Sequence, residues 1–199
     1  MLEFGKYSND IYELKISTFD WKKITARKPK NAELPKPRLG HSFTMIGTKL
    51  YLFGGLANSS ENPRDQIPHY LNDLYTIEIK SNSATQQWEC PVTHGEPPSA
   101  RESHSASAFT TQTGARKLLI YGGMNGQRLG DLFILDISSM TWSQPKIHGL
   151  LKIIFFIQKF SYSIFRKIQI NRNSTDATIS SFCHCYKSKT LYFRRLDSL

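Results

Sequence analysis

Arginine, histidine and serine recur in one frame, Arg-x-x-His-Ser, at Arg38-Leu39-Gly40-His41-Ser42 and again at Arg101-Glu102-Ser103-His104-Ser105. The planar fork of arginine can grip a carboxylate with two parallel bonds. Arg38 and Arg101 are therefore candidate contacts for an acidic ligand, with a structural ion pair or a solvated side chain as the competing readings. His41 and His104 could do proton chemistry. Recurrence at a repeat position more often marks architecture, so they read as structural histidines bonded to a neighbouring strand.

No catalytic set accompanies them. No Ser-His-Asp or Cys-His-Asp arrangement stands out, and no Gly-rich phosphate loop joins a strand to a helix. Copper chemistry would need clustered His, Tyr and Cys, and Cys90 is the single cysteine in the repeat region. Cys183 and Cys185 are separated by one residue with no second pair, which is not zinc spacing. The expectation is a protein with no metal, no cofactor and no catalytic residues.

The elements that must position these residues are read from a repeat. "NDIYELKI" from Asn9, "NDLYTIEI" from Asn72 and "GDLFILDI" from Gly130 align without gaps. Each carries an aspartate, Asp10, Asp73 or Asp131, expected to cap the turn that opens a strand by accepting backbone N–H bonds. Apolar residues at every second position then predict a half-buried strand. A tryptophan follows each time, Trp21, Trp88 or Trp142, expected to pack between repeats.

Ahead of two of these strands runs another, "KLYLFGG" from Lys49 and "KLLIYGG" from Lys117. The first has no polar face, which predicts burial on both sides. Each is expected to end at its glycine pair, Gly54-Gly55 or Gly122-Gly123, where the chain turns in a crowded place that only glycine tolerates. The order is thus an Arg-x-x-His-Ser strand, a Gly-Gly strand, an Asp-x-aromatic strand and a Trp strand. Four strands per unit, with a period of roughly 50 residues or more, describe the blade of a β-propeller. "KNAELPKPR" and "THGEPPSAR" are the links between blades.

This combination resembles the kelch repeat. The stretches "FGKYSNDIYELK", "PRLGHSF", "YLFGGLANSSENPRDQIPHYLNDLY", "PPSARESHSA" and "IYGGMNGQRLGDLFILDISSMTW" resemble the amino-terminal kelch propeller of the host cell factor family. The fold expected is all-β: a partial kelch β-propeller over residues 1–149, with repeats at about 37–93 and 97–149 and the outer two strands of one more blade in 1–28. The resemblance implies a non-enzymatic scaffold and transcriptional coregulator, nuclear or also cytoplasmic. Its propeller would dock transcription factors and chromatin-modifying complexes through short Asp/Glu-His-x-Tyr peptides. Arg38 and Arg101 would face the propeller mouth and meet the acidic residue of such a peptide. Arg64, in the loop from Leu56 to Tyr70, and Arg128, at the equivalent place in the next blade, are further contact candidates. A generic kelch adaptor of the cytoskeletal or ubiquitin-ligase type is the alternative. Two repeats and a partial blade do not close a ring, so exposed edges and an unstable isolated chain are expected.

Residues 150–199 change character. All 12 glycines and all 9 prolines lie before them. They carry 9 Lys/Arg against 2 Asp/Glu, whereas residues 1–149 carry 17 against 14, so the net charge of +10 belongs mostly to the tail. Residues 1–149 give no electrostatic case for nucleic acid. Ile153, Ile157, Phe160, Ile164 and Ile168 recur at helical spacing. A basic amphipathic helix, a disordered extension and translated noncoding sequence remain open readings. No apolar run is long enough for a membrane span, and three cysteines do not make a disulfide framework.

Overall fold

The computed structural model describes residues 7–60, 62, 65, 67–80 and 85–145, with the backbone of 190–194. All of its regular structure is β. The strands are β1 (Ile11–Lys15), β2 (Asp20–Arg27), β3 (Ser42–Ile46), β4 (Lys49–Asn58), β5 (Pro68–Glu78), β6 (Thr85–Glu89), β7 (Ser105–Thr110), β8 (Arg116–Met124), β9 (Arg128–Asp136), β10 (Thr141–Ser143) and β11 (Thr190–Arg194). They pair as four-stranded antiparallel units, β3-β4-β5-β6 and β7-β8-β9-β10, with β1-β2 as the outer half of another.

The alternation read in the sequence becomes a division of faces. On β4, Leu50 and Leu52 enter one core with Ile11, Ile24, Phe43, Tyr75, Ile77 and Trp88. Tyr51 and Phe53, pointing the other way, enter a second core with Leu118, Ile120, Phe133, Leu135 and Trp142. One strand therefore supplies both interfaces, to the preceding unit and to the following one. Its two faces are both buried because they lie between neighbouring blades.

The glycine pairs do not end their strands, contrary to expectation. β4 continues to Asn58 and β8 to Met124. The pairs are β-bulges: register shifts between Phe53 and Gly55, and between Tyr121 and Gly123. An extra residue kinks the strand without breaking the ladder. Gly55 has φ +109° and Gly123 +94°. A Cβ on Gly55 would lie 2.7 Å from the Leu39 carbonyl oxygen, and one on Gly123 would lie 2.5 Å from that of Glu102. Glycine is required because the turn leading into the first strand of the same blade presses on the bulge.

The blades are also not wholly separate sheets. Thr25–Arg27 runs parallel to Thr85–Gln87, joining β2 to β6 in one seven-stranded sheet of order β11-β1-β2-β6-β5-β4-β3. The same contact recurs in brief, where His94 bridges Thr141 in parallel. Arg27 and His94 each stand six residues past a tryptophan, and their partners Gln87 and Thr141 each stand one before the next. Chain leaving one blade thus satisfies the open edge of the next blade's outermost strand.

Trp88 and Trp142 are buried, but Trp21 is 52% exposed. Trp88 packs on Phe43 and Tyr75, and Trp142 lies 5.5 Å from Phe53 of the preceding blade. Each buried tryptophan fills the interface with the unit before it. Trp21 belongs to the first of the described units, β1-β2. The tail, expected to be helical or disordered, contributes a strand at Thr190–Arg194. Residues 153–168 lie outside the described residues.

Candidate functional site

The strongest polar chemistry of the molecule is turned inward. Arg38 and Arg101 are 0% exposed. Arg101 donates from Nη1 and Nη2 to the two carboxylate oxygens of Asp131, at 2.6 and 3.0 Å. It also donates to the carbonyl of Gly122 at 3.0 Å, and to the carbonyl and hydroxyl of Ser99 at 2.9 Å each. Arg38 repeats the pattern. Its fork is bidentate on Asp73, with Nη2 to Oδ2 at 2.7 Å, and it donates to the carbonyls of Gly54 and Lys36 at 3.0 Å each. The guanidinium carbons lie 5.9 Å from the Tyr75 ring centre and 5.3 Å from that of Phe133.

These geometries correct two expectations. Arg38 and Arg101 do not face solvent to await a partner's acid; their forks are filled by the chain's own carboxylates and carbonyls. Asp73 and Asp131 do not cap turns; they receive the arginines. A fully buried guanidinium must be paired on nearly every donor, and a strand aspartate beside the glycine bulge is the acceptor in reach. The Arg101 bond holds the Asp131 carboxyl below the usual carboxylate range, outweighing partial burial. Asp10, at the same repeat position, instead takes Lys23 Nζ at 2.8 Å. The turn-capping aspartate is Asp136, which the sequence reading passed over. Its Oδ1 accepts from the backbone of Ser138 at 2.9 Å and Ser139 at 3.2 Å. The only signal for it was an Asp-x-Ser-Ser turn after β9.

The Arg-x-x-His turns sew adjacent blades together. The Arg101 amide donates to the carbonyl of Leu71 at 2.9 Å, and its own carbonyl accepts from the Gly55 amide at 2.8 Å. The Ser103 amide donates to the carbonyl of Gly40 at 2.7 Å. His104 Nε2 lies 2.9 Å from Ser42 Oγ in the preceding blade, and its ring stands edge-on to Phe53 at 5.3 Å. Burial, reinforced by the charge of Arg101, lowers the His104 pKa to about 4. It is therefore neutral at pH 7. His41 is likewise buried.

Where these turns meet, a cleft of about 380 Å³ opens, lined by Leu39, Gly40, His41, Ser103 and His104. Gly40 and Ser103 occupy equivalent repeat positions and both are left-handed, with φ of +62° and +54°. Glu102 lies beside the cleft, and desolvation raises its pKa. Glu102 bridges Met124, and Met124 pairs with Arg128 across the β8–β9 turn. Arg128 is exposed at the start of β9. Arg64 lies outside the described residues. Among the described residues no group of three or more His, Cys, Asp or Glu could hold a metal ion, and no helix is long and apolar enough to cross a membrane.

Four-stranded units with glycine bulges, tryptophan-filled interfaces and buried Arg–Asp pairs define a kelch-type β-propeller segment. The family model described as "Host cell factor, Kelch-repeats domain" matches residues 1–158, and the chain belongs to this family. It is 53% identical over 151 residues to host cell factor 1 of Homo sapiens, covering 75% of this chain and 7% of that protein. Identity is 51% over 151 residues to host cell factor of Drosophila melanogaster, covering 75% and 10% respectively. It is 46% over 154 residues to host cell factor 2 of Homo sapiens, covering 77% and 19%. The chain therefore spans less than a fifth of the length of each of these relatives.

Proposed function

We propose that this chain is a non-enzymatic protein-interaction module that docks short peptides of the form Asp/Glu-His-x-Tyr, carried by transcription factors and chromatin-modifying complexes in the nucleus. Membership of the host cell factor kelch family supports the interaction role. The observation that carries the docking reading is the cleft between the Gly40–His41 and Ser103–His104 turns. It sits where two blades meet and offers the neutral imidazole of His104, the His41 ring and backbone polar groups to a small peptide. With Arg38 and Arg101 buried, the acidic residue of the peptide falls to an exposed cation, and Arg128, exposed in the strand that pairs through Met124 with Glu102, is our candidate for that task.

Fluorescence anisotropy of a labelled Asp-His-x-Tyr peptide against the full chain tests this. Saturable binding is expected, weakened about tenfold by Arg128→Glu, a loss of about 1.4 kcal/mol, and abolished by replacing the peptide histidine. Binding that is indifferent to both changes would reject the reading.

A further inference from the structure

Within each complete unit the second strand meets the third in one register. Leu50 stands opposite Ile77 and Leu52 opposite Tyr75 in the first; Leu118 stands opposite Leu135 and Ile120 opposite Phe133 in the next. The repeat places Tyr12 at the position of Tyr75 and Phe133, and Leu14 at that of Ile77 and Leu135. On the free side of β1, Phe193 stands opposite Tyr12 and Leu191 opposite Leu14, again antiparallel. All five Cα pairs between β1 and β11 coincide, position for position, with those of Lys49–Phe53 on β5 and Lys117–Tyr121 on β9. The sequences agree as well: Leu191-Tyr192 falls where Leu50-Tyr51 does.

We propose that Thr190–Arg194 serves in cis as the second strand of the β1–β2 unit, a surrogate for the aromatic-Gly-Gly strand of a kelch blade. An uncovered β1 would present a row of unpaired N–H and C=O groups, a template for association. A slip of one residue would exchange the two faces of the added strand, so the shared register is a specific solution. The surrogate is incomplete. Arg195 and Leu196 follow in sequence where the kelch strands have Gly-Gly, so the surrogate lacks the residues that let β4 and β8 kink and pair onward to Asn58 and Met124. A genuine aromatic-Gly-Gly strand therefore competes for the same edge.

Amide hydrogen exchange over Ile11–Lys15 in the full chain is the test, compared with a chain ended after Ser188. Losing β11 should speed exchange at alternate β1 amides about tenfold or more, with Leu118–Ile120 still protected. Adding the synthetic peptide Thr-Lys-Leu-Tyr-Leu-Phe-Gly-Gly should restore protection. Should the shortened chain lose protection everywhere, Leu191→Pro and Tyr192→Pro in the full chain decide instead. Each removes one strand N–H, and one of the two faces β1; selective loss at β1 in one variant supports the proposal, and no loss in either overturns it. Unchanged β1 exchange on truncation overturns it too. So does protection that rises with protein concentration alongside dimer formation, because the strand would then come from a second copy.

Discussion

Arg101 and Asp131 are 30 residues apart in sequence and joined by two hydrogen bonds, one partner wholly buried and the other 29% exposed. Arg38 and Asp73 repeat the relationship 35 residues apart. Because Arg101 also holds the Gly122 carbonyl, the pair fixes the glycine bulge from behind. Removing the carboxylate leaves a buried cation without its counter-charge, a loss that typically costs about 3 kcal/mol or more. Asp131→Ala and Asp73→Ala should each lower stability by about that much in urea unfolding. Asp10→Ala should cost under about 1 kcal/mol, because Lys23 is 57% exposed and its pair is screened by water. Equal losses in all three variants would contradict this.

The bulges make a steric prediction. Gly55→Val and Gly123→Val each drive a Cβ into a backbone carbonyl at 2.7 or 2.5 Å and force a left-handed residue to be β-branched. Both variants should be strongly destabilised, by more than the roughly 1–2 kcal/mol of backbone strain alone. Gly130→Ala, where an added Cβ meets nothing within 4 Å, is the control and should melt close to wild type.

Ser103 makes the opposite prediction. It holds φ +54° at the repeat position where Gly40 holds +62°. Ser103→Gly should relieve strain and stabilise by about 1 kcal/mol, less the entropy glycine adds to the unfolded chain. Thermal melting checks the sign; a lower melting temperature would show that the serine side chain supplies something the geometry does not.

Acid should loosen the blade junction. With its folded pKa lowered to about 4, His104 binds protons more readily unfolded than folded. Its contribution is complete above its ordinary pKa of about 6.5 and is lost as pH falls toward 4, at up to about 1.4 kcal/mol per pH unit. Asp131, also lowered, loses its contribution at still more acidic pH. The stability gap between wild type and His104→Asn, measured by urea unfolding, should narrow from pH 7 to pH 5. Parallel pH profiles would show that His104 titrates alike in the folded and unfolded chain.

Much of the fold was legible because it is periodic. Leu50 to Phe53 alternate without a polar residue, so both faces had to be buried, and two cores claim them. The three Asp-x-aromatic strands declared themselves by spacing alone, since a strand's inward face repeats every second residue. The site was much less legible. Arg-x-x-His-Ser was visible, but an arginine reads identically whether its fork meets a ligand or an aspartate 30 residues further on.

What the sequence determined by itself is what local rules govern: strand phase, the demand for glycine, and the repeat that places equivalent residues on successive blades. What only the tertiary structure decided is which groups come to meet. The arginines turned inward, Trp21 was left half open while Trp88 and Trp142 were covered, and Thr190–Arg194 came to lie on β1. Each outcome depends on the surface a neighbouring unit presents. A strand's pattern records that one of its faces is buried, not what buries it.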